Sequence, residues 1–213
     1  MTPDKTSYFF NSYAADFDAI YGDDVGLLKK FINRLFRKSM RLRFEKTLEV
    51  CSGNEGKTVL DIGCGPGHYD VALASMGMRV TGIDFAPVMI EMGNQKAVRA
   101  KVSDKCEFII GDFILYDFSQ NFDYAIAMGF FDYIENPDKF ISKIVSMTHR
   151  KILMSFPRAE GILAWQRRIR YKKRCDLYMY TYRQLEMILS RLKCNKYKIE
   201  KMNRDYFVII DLE

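Results

Sequence analysis

The stretch Val59-Leu60-Asp61-Ile62-Gly63-Cys64-Gly65-Pro66-Gly67-His68-Tyr69 restricts the possible folds of this chain more than any other segment. Val59, Leu60 and Ile62 form a short apolar run, the length of a buried strand. Gly63, Gly65 and Gly67 follow at alternate positions, where a chain must turn sharply and let a ligand touch its backbone. The spacing predicts a helix from near His68, with its free N–H groups and positive dipole end aimed over the glycines. Asp61 places a carboxylate at the strand's end, beside the same spot.

The alternation continues downstream. After the strand near 58–62 and a helix to about 76 come a strand at 79–83 and a helix opened by Pro87 in its first turn. Strands follow at 106–111 and 123–128, then a helix opened by Pro137 and Asp138 and ending near Thr148. A strand at 151–156 is stopped by Pro157. Leu185, Ile188, Leu189 and Leu192 mark one face of a later helix, and Tyr197–Met202 and 206–210 read as closing strands. Upstream, Leu27, Leu28, Phe31, Ile32, Leu35 and Phe36 recur at helical spacing, predicting a long amphipathic helix towards Val50. Before it, Tyr8 to Tyr21 is rich in aromatic residues. At 213 residues this is one α/β domain with helices on both faces of a parallel sheet.

Glycine spacing narrows the ligand. The dinucleotide fingerprint puts glycines at its first, third and sixth places, the last for close helix packing. Counted from Gly63 the sixth place is His68, and the third glycine comes one place early. The pattern instead resembles motif I of the class I S-adenosylmethionine-dependent methyltransferases, and three further segments match in order. Arg79-Val80-Thr81-Gly82-Ile83-Asp84 resembles the second strand, with Asp84 where this family holds the ribose hydroxyls. Asp84 lies 17 residues after Gly67, near the offset of about 20 expected one βα unit later. Phe108-Ile109-Ile110-Gly111-Asp112-Phe113 resembles the third strand, with Asp112 at the adenine amino group. Phe122-Asp123-Tyr124-Ala125-Ile126-Ala127-Met128-Gly129 resembles the fourth, whose end faces the methionine part.

This resemblance covers roughly residues 57–157. It implies a Rossmann-like seven-stranded mixed sheet with an antiparallel last strand, a helical lid over 1–56, and a core over 57–213 with a basic insertion near 158–180. It also implies S-adenosylmethionine as cofactor and S-adenosylhomocysteine as product, held by Asp61, Gly63, Cys64, Gly65, Gly67, Asp84, Phe85, Met89, Asp112, Phe113, Met128 and Gly129. The short N-terminal helices and Ser155-Phe156-Pro157-Arg158 are similar to small bacterial methyltransferases, including the magnesium-protoporphyrin O-methyltransferases.

The loops after the fourth and fifth strands should face the acceptor. Methyl transfer from a sulfonium is an in-line displacement that needs orientation and exclusion of water more than acid–base chemistry. Where a base is needed, Asp132 and Tyr133 are the best-placed residues, and Tyr13, Tyr21, Phe131, Arg158 and Trp165 are the acceptor-binding candidates. The Asp/Asn-Pro-Pro-Tyr/Phe motif of amide and nucleobase methyltransferases is absent after the fourth strand, where Gly129-Phe130-Phe131-Asp132-Tyr133 stands. An oxygen, carbon or amine of a small molecule is therefore the expected acceptor. No acidic cluster calls for a metal, and His68 and His149 read as pocket-shaping and surface residues.

The formal charge of +6 is segregated. Residues 29–46 carry eight cations against Glu45, and residues 158–174 carry seven against Glu160, so the rest of the chain sums to −7. These segments read either as solvated helix faces or as a cationic mouth. A mouth would suit an anionic acceptor, one presented at an anionic membrane, or, as the second reading, RNA. No run of about twenty apolar residues predicts a membrane span. The N-terminus lacks a secretory pattern. Five scattered cysteines suit the cytoplasm.

Overall fold

The computed structural model describes residues 27–171, 176–192, 194 and 196–213, with side chains from Lys38 onward except at 162, 170 and 171. Among these residues lie seven strands: β1 (Thr58–Ile62), β2 (Arg79–Asp84), β3 (Cys106–Ile110), β4 (Phe122–Ala127), β5 (Thr148–Pro157), β6 (Tyr197–Met202) and β7 (Asp205–Asp211). Six α-helices accompany them: α1 (Leu27–Cys51), α2 (His68–Ser75), α3 (Pro87–Arg99), α4 (Asp138–Ser146), α5 (Ile162–Tyr171) and α6 (Tyr182–Arg191).

The strands form one sheet in the order β3-β2-β1-β4-β5-β7-β6. The first five run parallel, and β7 pairs antiparallel with both β5 and β6, as the resemblance implied. The chain winds outward from β1 to β3, then returns to the other side of β1 with β4. That reversal opens a crevice beyond the carboxyl ends of β1 and β4, the usual ligand position in such sheets.

Alternation within strands produces the layers. Leu60, Ile62, Ala125, Ile152, Met154 and Val208 face one side, where Ile141 and Ile144 of α4 and Leu185, Ile188 and Leu189 of α6 close the core. Val59, Val80, Tyr124, Ile126, Leu153 and Phe207 face the other, covered by Leu73 and Ala74 of α2, Ala97 of α3 and Leu48 and Cys51 of α1. Pro87 opens α3 within its first turn, and Thr181 and Gln184 cap α6 reciprocally.

Two boundaries differ from expectation. The helix after Pro137 stops at Ser146 and β5 begins at Thr148, because pairing of Thr148 with Phe122 draws that residue into the sheet. The basic insertion contains an ordered helix, α5, pinned to the body by buried Ala164 and Arg167. Arg167 of α5 and Arg43 of α1 both reach Asp205 at the start of β7 (2.8 and 3.7 Å), which brings the two basic segments together.

Candidate active site

The three loop glycines have φ of 68°, 52° and 72°, the left-handed region that only glycine enters without strain. Each does something different. A Cβ on Gly63 would stand 2.8 Å from the Phe130 ring, and one on Gly67 would meet Phe108 at 2.9 Å and Gly93 of α3 at 3.0 Å. A Cβ on Gly65 would meet nothing within 4 Å. Gly67 thus takes the helix-packing role despite its early place in the motif, and Gly65 faces open space.

The loop is tied to the end of β2. The Gly63 and Cys64 amides both donate to the Ile83 carbonyl, at 2.9 and 3.1 Å. Gly65 N–H donates to Asp84 Oδ2 at 3.0 Å and Ala86 N–H to Asp84 Oδ1 at 2.9 Å. The Asp84 carboxylate is therefore locked in orientation beside the loop. Burial raises its pKa, and these backbone donors pull it partly back. Phe85, 40 % exposed, stands next to it. Beyond β3, exposed Asp112 accepts from Ile114 N–H at 2.7 Å. Lys143 Nζ secures the same turn by donating to the carbonyls of Phe113, Ile114 and Tyr116 at 2.8, 3.2 and 2.6 Å.

Behind the loop lie two buried carboxyls. Asp61 is 1 % exposed and Asp70, in the first turn of α2, 0 %. Asp61 Oδ2 and both Asp70 oxygens are buried with no hydrogen-bond partner. Burial pushes Asp70 up to about 7, and pushes Asp61 well above the usual carboxylate range, with the Asp70 charge adding to it. The Cys64 thiol is raised by burial and by these same acids, so Cys64 is an inert packing residue. Gly82 makes room for the pair, since a Cβ there would stand 2.4 Å from Asp70 Oδ1.

At the end of β4, Met128 is half-buried and Gly129 has φ 79°. Gly129 N–H donates to Ser155 Oγ at 2.8 Å, and Arg43 Nη1 donates to the same oxygen at 2.9 Å. Gly65, Asp84, Phe85, Asp112, Met128 and Gly129 lie at or just beyond the carboxyl ends of β1, β2, β3 and β4.

Several expected contacts lie elsewhere. The Asp61 carboxyl is turned inward against Asp70 instead of presented at the crevice. The Phe113 ring packs in the core between Phe118 and Phe140, and Met89 is sealed against Ala86 at 2 % exposure. Phe131 is fully buried and stacked on Phe156 at 4.4 Å, so it lines core and not an acceptor pocket. Asp132 is no free base: it is buried and ion-paired with Arg167, and although burial raises its pKa, Arg167 and Arg43 oppose that. Arg158 is engaged with the β6–β7 turn, donating to the Asn203 carbonyl at 2.9 Å and lying over the Tyr206 ring. Trp165 is 65 % exposed on the outer face of α5, and Tyr133 is half-buried beside Asp132. Tyr13 and Tyr21 lie outside the described residues.

Sequence reasoning missed Asp70, Ser155, Arg43, Lys143 and Asp205. Only Gly82 offered a signal, since glycine inside a strand marks a close approach. Among the described residues no group of three or more His, Cys, Asp or Glu could hold a metal ion.

The family model described as a methyltransferase domain matches residues 53–203. The chain belongs to this methyltransferase family. It is 28 % identical over 141 residues to the sterol 4-C-methyltransferase strm-1 of Caenorhabditis elegans, covering 65 % of this chain and 42 % of that protein. It is 29 % identical over 113 residues to the magnesium-protoporphyrin O-methyltransferase of Rhodobacter capsulatus, covering 52 % and 50 %. The chain thus spans half or less of these curated relatives. The crystal structure of magnesium protoporphyrin IX methyltransferase from Synechocystis PCC 6803, with S-adenosylhomocysteine bound, superposes with a TM-score of 0.77 over 96 % of both chains at 21 % identity. The methyltransferase fold is shared along nearly the whole length.

Proposed function

We propose that this chain transfers a methyl group from S-adenosylmethionine to an oxygen, carbon or amine of a small molecule. The observation that carries the reading is the open space at Gly65, between a locked Asp84 carboxylate and the end of β4. The cofactor, when bound, supplies a methyl group on a sulfonium whose positive charge already activates it for displacement. Asp84 would accept from the ribose hydroxyls and Asp112 from the adenine amino group. Gly63 and Gly65 let the backbone approach, and Met128 and Gly129 flank the tail. These residues bind, orient and exclude water, which is where most of the rate of such a transfer arises. With Asp132 paired to Arg167, Tyr133 remains the residue for an acceptor that must lose a proton.

The acceptor we favour is anionic or lipid-associated, because α1 and α5 converge on Asp205 at the start of β7 with Lys38, Arg41 and Arg168 exposed. Contact with an anionic membrane surface fits the same faces, and no described helix is long and apolar enough to cross a membrane. RNA is the second reading, carried by the density of cations along α1. It predicts polynucleotide binding that weakens steeply with salt, and a flat response removes it.

The decisive experiment is titration calorimetry with S-adenosylhomocysteine. Asp84→Ala and Gly65→Val should abolish binding, and wild-type affinity in both variants would overturn the reading. Incubating labelled methyl donor with a lysate, followed by mass spectrometry, then identifies the acceptor.

A further inference from the structure

We infer that α5 docks this protein on an anionic lipid surface, with Trp165 and Ile169 entering the headgroup layer beside Arg168. The inference deepens the lipid-associated acceptor of the proposed function and rests on that reading for what docking serves. A helix lying on a protein normally turns its apolar residues inward and its charges outward. In α5 the order is reversed. Ala164 and Arg167 are buried, at 5 % and 4 % exposure, whereas Trp165 and Ile169 are 65 % and 55 % exposed. Four residues apart, Trp165 and Ile169 share one face of the helix, and Gln166 and Arg168 between them in sequence are exposed as well. Arg167 reaches Asp205 through Nη1 and Asp132 through Nη2. The helix is thus held to the body by a charge and shows its bulk to the outside.

Charge chooses the occupant of that face. Pro157 pairs with Asp205 across β5 and β7, so Asp205 and the helix tied to it stand at the carboxyl end of β5. That is the end of the sheet where Gly65 and Gly129 lie. The Ser39 hydroxyl donates to the same Asp205, which puts exposed Lys38 on the same rim. In sequence, residues 158–174 hold seven cations against Glu160. The Glu160 oxygens already accept from the Tyr182 amide and the Tyr206 hydroxyl. A second copy of the chain would set like charges against each other, and a phosphate backbone gives Ile169 nothing apolar to enter. An anionic bilayer meets both demands, with phosphates for the cations and an interfacial layer in which tryptophan is enriched. At 10 residues α5 is too short to cross a bilayer, so it lies along the surface. Docking there turns the crevice end of the sheet towards the lipid from which an apolar acceptor arrives.

Trp165 is the only tryptophan of the chain, so its fluorescence reports on this face alone. The protein is mixed with vesicles of phosphatidylcholine alone, or of phosphatidylcholine with about one third phosphatidylglycerol, and bound protein is separated by flotation. Wild type should float with the anionic vesicles, with its emission moved to the blue and quenched by brominated acyl chains. Added salt should weaken the binding. Trp165→Ser and Ile169→Ser should each bind about tenfold more weakly, the loss of one large apolar side chain from the interface. Arg168→Gln should bind about fivefold more weakly. Val98→Ser serves as control, because Val98 is 64 % exposed but lies near the end of α3, beside the amino ends of the strands; it should bind as wild type does. Unchanged melting temperatures show that the variants fold. Binding that survives the three α5 substitutions, equal binding to neutral vesicles, or flotation without a change in emission overturns the inference. So does a blue shift produced without vesicles, whether by raising the protein concentration, which assigns the face to a second copy, or by polyuridylate, which assigns it to RNA. Calorimetry with S-adenosylhomocysteine is read separately. Wild type that floats but binds no S-adenosylhomocysteine loses the methyltransferase reading alone, and the converse loses the docking alone.

Discussion

Replacing Asp70 by asparagine should stabilise the protein, and more so as the pH rises. Asp70 is wholly buried beside Asp61, and no cation among the described residues offsets the pair. Burial is the largest influence on its carboxyl, raising its pKa from 3.8 to about 7. Between those values the folded chain holds a proton that the unfolded chain has released, so folding weakens as pH rises. The penalty is absent below 3.8, grows through the window and is complete above about 7. Each tenfold change in proton concentration is worth about 1.4 kcal/mol. From pH 5 to pH 8 the window contains about two such steps, giving roughly 2–3 kcal/mol. The amide is isosteric with the carboxyl, so it fits the space left by Gly82, and it can donate to Asp61. Because the two acids titrate as a pair, the substitution also lets Asp61 ionise more easily. Urea unfolding of wild type and Asp70→Asn at pH 5 and pH 8 reads the effect directly. The variant's advantage should grow by roughly 2–3 kcal/mol between the two. An advantage independent of pH, or a loss of stability at pH 8, would refute the reasoning.

Three further outcomes follow from the same geometry. Gly67→Ala should cost about 2–4 kcal/mol, from left-handed strain plus the clash with Phe108 and Gly93, whereas Gly65→Ala should cost only about 1–2 kcal/mol yet impair S-adenosylhomocysteine binding; equal losses in urea unfolding would show Gly65 to be packed. Asp132→Asn should lower stability by about 3 kcal/mol, because it leaves the buried Arg43 and Arg167 charges to share the single carboxylate of Asp205; an unchanged melting temperature with lost turnover would restore Asp132 as a base. Lys143→Met should free the Phe113–Tyr116 turn, seen as faster amide hydrogen exchange there than in β1, with about 1–3 kcal/mol lost; unaltered exchange would show that the ammonium does not hold the turn.

What was legible in the sequence is what local rules encode. Apolar runs separated by glycine and proline marked all seven strands, and the loop at 63–67 announced its backbone conformation through residue type alone. Asp84 and Asp112 close strand-like runs, and the family resemblance is what singled them out. The failures share a cause. Phe131, Phe113 and Met89 belong to segments that follow strand ends, but which side of a short turn faces the core depends on packing partners distant in sequence, such as Phe156 for Phe131 and Phe118 and Phe140 for Phe113. Asp70 looked like a routine acid in a helix's first turn, and only the sheet beneath α2 turns it inward.

The charge count shows the limit most clearly. Read along the chain, 29–46 and 158–174 are two cationic segments, either solvated helix faces or a cationic mouth. In three dimensions, among the described residues, Arg43 of α1 and Arg167 of α5 turn inward, and both meet Asp205, with Asp132 completing a buried set of two cations and two anions. Those four residues lie far apart in sequence, and no periodicity connects them. Such a set contributes little net stability compared with apolar packing, because desolvation offsets most of the attraction. Its effect is positional. It fixes α1 and α5 against the start of β7, and through Ser155 it holds the Gly129 amide at the end of β4. The basic segment on α1 therefore reaches the end of β4 from within, through Arg43 and Ser155, and an inward arginine, not net charge, makes that link.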